Sequence, residues 1–316
     1  MKRGQVILAL AGLVISLLLP LVVHGDYHLQ VLFRIYLFAA LGLAWNLVGG
    51  YTGQLSLGHA AYFGAGAYGL ALFTRAGVPI GIALVLLVGL ALGFALLIGG
   101  ASFRLRGPYF TLCTIAFAEV LHATAKNLPN LTGGDVGIQV PALFHDHVHR
   151  SFYFCAVLLT AAALAATAII TRSRFGYYLM AIREDQDTAL SVGVHTARTK
   201  LKALLISAGF TALGGALYGS LFLFIVPDQV LSIDISNEIA IVAMLGGAGT
   251  LFGPLVGAVV LETASELFKN VFQEAHLLIY GLLLIVVVLF LPEGIVGGAG
   301  SLFRRQKGMK GQRGGR

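Results

Sequence analysis

Charge is scarce in this chain. Of its 316 residues only 11% are Asp, Glu, Lys or Arg, while 58% are hydrophobic, and the mean hydropathy is +0.88. A soluble domain carries roughly twice that charged fraction. The deficit excludes a single water-soluble core and leaves a polytopic membrane protein. Cysteine is nearly missing too. Cys113 and Cys155 fall in apolar runs and read as packing residues, silent about redox compartment. Other absences narrow the chemistry. No G-K-[ST] accompanies either glycine-rich stretch and no strand precedes one, so the chain is expected to bind no ATP itself. No nucleophile, base and acid fall together, which leaves an enzyme reading little to stand on. No A-x-A pattern follows the first apolar run, so residues 6–23 read as a retained span rather than a signal peptide.

The charge that is present is sorted. Sixteen of the 21 basic residues lie in four places: Lys2 and Arg3; Arg104 and Arg106; residues 171–202; and the tail after Gly300. That is the positive-inside pattern, so all four are expected to be cytoplasmic. A solvated basic end is favoured for the tail over contact with anionic lipid headgroups. The loops at 24–30, 128–150 and 227–237 hold Asp26, Asp135, Asp146, Asp228 and Asp234 against one basic residue, Arg150, and read as external.

Apolar runs fall near 5–23, 31–48, 60–74, 79–100, 108–127, 151–170, 203–226, 238–267 and 277–295. Counted from an inside N-terminus, a single span at 238–267 would leave the basic tail outside. The breaks at Gly246-Gly247-Ala248-Gly249 and Gly253-Pro254 let this run enter and leave on one side. A helix over 238–248 is about 16 Å long, half of a ~30 Å hydrocarbon core. The turn is therefore expected inside the membrane, as a broken or re-entrant hairpin buried in protein or lining water. The expected fold is an all-α polytopic membrane protein of about ten transmembrane or re-entrant helices. It comprises one membrane domain over 1–300, a large cytoplasmic loop at 171–202, and a basic cytoplasmic tail at 301–316.

Val48-Gly49-Gly50-Tyr51-Thr52-Gly53 resembles Leu245-Gly246-Gly247-Ala248-Gly249-Thr250. This suggests two similarly built halves, with chance likeness of two glycine-rich turns as the alternative. Interrupted segments at matching positions point to a transport site. Gly246 and Gly247 are thus candidates for path or gate. After the first break, Thr52, Gln54, Ser56 and His59 supply polar groups between apolar spans, either along a substrate path or in a locally bonded turn.

Glu119 lies inside a span, with His122 and Lys126 on the same helical face. An unpaired acid near mid-bilayer costs roughly 2.5–3.5 kcal/mol on insertion scales. It is expected to face protein, a partner or water, as a pathway residue or as a helix–helix polar contact. His145, Asp146, His147 and His149 read as a solvated external loop rather than a metal site, since ligands this close rarely close a site alone. Small residues crowd Gly64-Ala65-Gly66-Ala67 and 209–219, where helices are expected to approach closely.

The loop at 171–202 is too polar for lipid. It holds Arg172, Arg174, Arg183, Arg198, Lys200 and Lys202 with Glu184, Asp185 and Asp187. Residues 177–192 lack glycine and proline, and the spacing predicts one short amphipathic helix. Leu179, Ile182, Ala189 and Leu190 form its apolar face, Arg183, Glu184 and Asp187 lie away from it, and Gly193 stops it. Mixed charge favours a protein groove over adsorption to lipid.

Asp187-Thr188-Ala189 with Gly193 resembles the E-A-A-x-x-x-G loop of ABC-importer permeases, with Asp for Glu and Thr for the first Ala. LGLAWNLVGGYTGQLSLGHAAYFGAGAYG (41–69), RLRGPYFTLCTIAFAEV (104–120), LTGG (131–134), SRFGYYLMAIRED (173–185), MLGGAGTLFGP (244–254) and LFLPEGIVG (289–297) are similar, in order, to the branched-chain amino-acid ABC permease family, LivM type. The resemblance implies a non-catalytic permease subunit of the bacterial inner membrane, translocating leucine, isoleucine and valine by ATP-driven alternating access. Its implied partners are a second, similar permease, two cytoplasmic ATPases that bind the ATP, and a periplasmic substrate-binding protein. Within the resemblance, Arg183, Glu184, Asp185, Asp187, Ala189 and Gly193 are the expected ATPase-coupling residues. Urea, amides or other amino acids are alternative substrates, and an ATP-independent secondary transporter is the rival class.

Overall fold

The computed structural model describes residues 3–22, 25–103, 105, 107–144, 147–271 and 294–298. The expected last span at 277–295 lies almost wholly outside them, as do the basic tail and, of the external histidine cluster, His145 and Asp146. The described chain is all-α apart from one two-stranded ribbon. Its helices are α1 (Arg3–Val22), α2 (Asp26–Val48), α3 (His59–Arg75), α4 (Ile80–Ser102), α5 (Pro108–Asn127), α6 (Pro129–Thr132), α7 (Val148–Arg172), α8 (Arg174–Glu184), α9 (Gln186–Ser191), α10 (Thr196–Phe222), α11 (Pro227–Val230), α12 (Ile233–Gly247) and α13 (Gly253–Val271). Local signals mark several starts. Pro108 occupies the first turn of α5, where its missing N–H costs nothing, and Asp26 and Asp234 sit in the first turns of α2 and α12, where the helix dipole favours an acid.

Among the described residues, five stretches are long and apolar enough to cross a bilayer: α2, α4, α7, α10 and the 21 residues Pro227–Gly247 spanned by α11 and α12. The last corrects the half-length helix expected from 238. Asp234 starts α12 earlier, and α11 precedes it. The glycine turn after α12 lies beside the polar loop, next to Arg183.

The second half of α2 and nearly all of α3 are buried on every side, as expected of helices that are apolar all round. They form the centre with α10. The crossing of α3 and α10 depends on glycine. A Cβ on Gly66 would collide with the carbonyl of Ala212, and one on Gly215 with the carbonyl of Phe63. The two small-residue segments singled out in the sequence are thus packed backbone to backbone. Around this centre, α4 buries a narrow stripe at Ala83, Leu87, Ala91, Ala95 and Ile98 and exposes Val85 and Leu97. α7 packs on α2, and α12 pairs with α13 against α2. The ribbon pairs β1 (Ile138–Gln139) antiparallel to β2 (Phe224–Ile225), with Ile138 opposite Ile225. It ties the loop after α5 to the end of α10.

Candidate functional site

The polar loop folds as two helices, not one. Ser173 caps α8 by accepting from the Gly176 N–H. At Asp185 the backbone turns extended, and its carboxylate accepts the Thr188 N–H at 2.6 Å, capping α9. The break resets the helical phase, so Leu190, expected on the apolar face, is 55% exposed. Leu179, Ile182 and Ala189 are buried as expected. Gly193, at φ 88°, ends α9, with its N–H bonded to Leu190 O and that of Val194 to Ala189 O. Only glycine adopts that left-handed backbone without strain.

Glu184 and Asp187 lie on the exposed side, with Leu190 and Val192 beside them. Arg183 is exposed too, but its side chain reaches back to the glycine breaks. Its Cγ would lie 3.3 Å from a Cβ at Gly53, and a Cβ at Gly249 would collide with its Nη1. One side chain from the loop therefore covers both glycine breaks. A second basic residue of the loop is not solvated at all. Lys200 is 1% exposed, donates to Gln186 Oε1 at 2.6 Å, and lies 6.0 Å from the Phe103 ring centroid. It pins the start of α9 to the base of α10 and to the α4–α5 junction.

The two breaks, far apart in sequence, meet in space. Asn46 is fully buried. Its Nδ2 donates to Thr250 O at 2.8 Å, and its Oδ1 accepts the Gly249 N–H at 2.7 Å. Trp45 Nε1 donates to Ser56 O at 2.7 Å and holds the extended segment after the first break. Thr250 Oγ1 donates to Gly247 O and accepts the Gly253 N–H, capping the start of α13. Gly246 packs against the Gly253 carbonyl so closely that neither position has room for a side chain.

The polar residues between α2 and α3 divide. Thr52 donates to Val48 O at 2.6 Å. His59 is fully buried, with Nε2 2.8 Å from Ser207 Oγ and Nδ1 3.3 Å from Ser56 Oγ. These three are held within the protein's own framework. Gln54 Oε1 is buried with no hydrogen-bond partner among the described residues. Glu119 lies apart from all of them. Its Oε2 is 3.5 Å from His122 Nδ1, and His122 Nε2 is 2.9 Å from Asp228. Lys126 reaches Asp228 at 2.8 Å and Asp135 at 3.6 Å. The expected shared face of Glu119, His122 and Lys126 is present, and Asp228 of α11 and Asp135 of the segment after α6 complete it.

A third constellation was not singled out from sequence. Arg34 Nε lies 3.1 Å from Glu262 Oε2, and its Nη2 lies 3.7 Å from Glu238 Oε1. Glu262 is 4% exposed, so α2, α12 and α13 share an ionic contact inside the bundle. Its signal in the sequence was unexplained charge within apolar runs, Arg34 in 31–48 and both Glu238 and Glu262 in 238–267.

Comparison with known proteins agrees with this architecture. The profile of the family described as "Branched-chain amino acid transport system / permease component" matches residues 27–288. The chain is 30% identical, over 92% of its length and 75% of the relative's, to the high-affinity branched-chain amino acid transport system permease protein LivM of Salmonella typhimurium. It is 29% identical, with the same coverage, to LivM of Escherichia coli. It is also 27% identical, over 82% of its length and 91% of the relative's, to the permease protein LivH of Salmonella typhimurium. No solved structure matches. The chain therefore belongs to the family of permease components of branched-chain amino acid transport systems.

Proposed function

We propose that this chain is a transmembrane permease subunit of an ABC importer of the bacterial inner membrane, translocating leucine, isoleucine and valine by ATP-driven alternating access. Its partners in this reading are a second permease, two cytoplasmic ATPases and a periplasmic binding protein. About ten membrane segments, with both termini cytoplasmic, put the polar loop on the ATPase side. The observation that carries the reading is Arg183. It arises from the loop that would dock the ATPase, and its side chain lies across both helix breaks.

Glu184, Asp187, Leu190 and Val192 form the exposed surface for the ATPase groove. Asp185, Ala189 and Gly193 shape the helix that presents it. Motion of that helix moves Arg183, and with it the turns that Asn46 holds together. A loop contact equal in both access states would shift nothing, so Arg183 must fit one state better than the other. Gly246, Gly247 and Gln54 are then gate or path elements. Thr52, Ser56 and His59 support them, and Glu119 belongs to the outer half of the route.

The test is uptake in cells lacking their own branched-chain transport but supplied with this chain and its partner subunits. Arg183→Met is expected to lower leucine uptake about tenfold or more while ATP hydrolysis continues, within the usual range of a coupling energy. Undiminished uptake with hydrolysis-dead ATPases would favour a secondary transporter instead. Competition by urea or short amides, in place of valine, would reassign the substrate.

A further inference from the structure

We infer that the exposed face of α5 is the surface on which a second permease subunit of the same family packs, with Glu119 turned into the seam. The inference rests on the permease reading and adds the surface. In the described structure the buried residues of α5 are Phe110, Thr114, Ala118 and Ala125. Tyr109, Leu112, Ala116, Glu119, Ala123 and Asn127 are exposed along one stripe for the whole length of the helix.

Lipid does not suit this stripe. Glu119 is 49% exposed and lies two turns, about 12 Å, from the Asn127 end of the helix. Ionisable groups at such a depth face protein or water, not acyl chains. The contrast with α4 is direct. Its exposed residues include Ile82, Val85, Leu86, Leu96 and Leu97, with no charge among them, and it is the most apolar of the candidate spans. α5 is not among the helices apolar enough to cross unaided, so it needs protein beside it.

Ala116 and Ala123 flank Glu119 on the stripe and leave room for a second helix to come close. The occupant follows from the relatives. One organism holds two proteins, LivM and LivH, that this chain resembles at 30% and 27% identity, both named as permeases of a high-affinity branched-chain amino acid transport system. A paired membrane core built from two members of one family accounts for both. It also gives the Glu119 carboxylate a neighbour from which to accept a hydrogen bond.

The test places the photoreactive residue p-benzoylphenylalanine at Ala116 or Ala123, and at Leu97 on α4 as control. The full chain is expressed with its transport partners in native membranes and irradiated. Products from positions 116 and 123 are expected to map, by mass spectrometry, to a second permease chain of this family, while position 97 yields lipid adducts. Lipid adducts at 116 and 123, or a product mapping only to protein outside the family, overturn the inference. A bulky Ala123→Trp provides a second reading, with expected loss of co-purification with the second permease while the chain stays in the membrane. Retained co-purification counts against the surface. Leucine uptake in the same cells separates the two levels. ATP-dependent uptake with lipid-only adducts sinks the α5 surface alone, whereas uptake that survives ATPase inactivation takes down the permease reading and the surface with it.

Discussion

Asn46→Leu tests the junction of the two helix breaks. Leucine matches asparagine in branching and side-chain heavy-atom count, so the change removes the polarity while adding the bulk of two methyl groups. Two hydrogen bonds disappear, to Thr250 O and from the Gly249 N–H. Each is worth about 0.5–1.5 kcal/mol net, and a buried group left unpaired adds roughly 1–3 kcal/mol. Thr250 and Gly249 are only partly buried, so water relieves some of that penalty. The expected destabilisation is about 2–4 kcal/mol. It is local, because the other bonds of the second turn, from Thr250 Oγ1 and the Gly253 N–H, remain. Asn46→Asp separates polarity from geometry. It keeps the acceptor for the Gly249 N–H but sets an oxygen against Thr250 O. The purified chain in detergent should melt several degrees lower in both variants, and leucine uptake should fall with ATP hydrolysis retained. Wild-type melting together with wild-type uptake in Asn46→Leu would refute the idea that this residue joins the breaks.

Other expectations concern the loop and the opposite end. Gly193→Pro cannot adopt φ 88° and loses the N–H bonded to Leu190, and Asp187→Arg reverses charge on the exposed side; both should abolish coupled uptake while the subunit still reaches the membrane, as read by membrane immunoblot. Lys200→Met removes the bond to Gln186, so hydrogen exchange at 186–193 should speed up, and unchanged exchange would remove Lys200 from the anchor. At the opposite end, Asp228→Asn weakens the contacts to Lys126 and His122, so the purified chain in detergent should melt slightly lower than the parent, and an unchanged melting curve would show that these exposed pairs add nothing to stability.

Much of the architecture was readable along the chain because each signal is local. Apolar runs gave the described spans, and Pro108 and Gly193 marked a start and a stop, whereas Asp26, Asp228 and Asp234, expected in loops, lie in the first turns of α2, α11 and α12. The small-residue segments foretold the close crossing of α3 and α10. What escaped was pairing across distance. A polar residue in an apolar run announces that a partner exists without saying where, so Asn46, Arg34 and Glu262 were silent until the turns and helices came together. Lys200 read as one more solvated charge in a basic loop, although its stem and ammonium are enclosed. The split at Asp185 was missed for a different reason. Its side chain satisfies the Thr188 N–H locally, and that competes with continuing the helix. The 177–192 stretch contains no glycine or proline to warn of it.

The reciprocal glycine contact between α3 and α10 has a mechanical meaning. Where two backbones touch with no side chain between them, nothing can change rotamer or slide into a second arrangement. α3 and α10 must therefore travel as one beam. Lys200 fastens the polar loop to one end of that beam, and β2 ties the other end, beyond Leu223, to the segment following α5. In the proposed alternating-access reading, a displacement at the loop would be carried along this beam toward the far side of the protein, and the glycine turns beside it would supply the compliance.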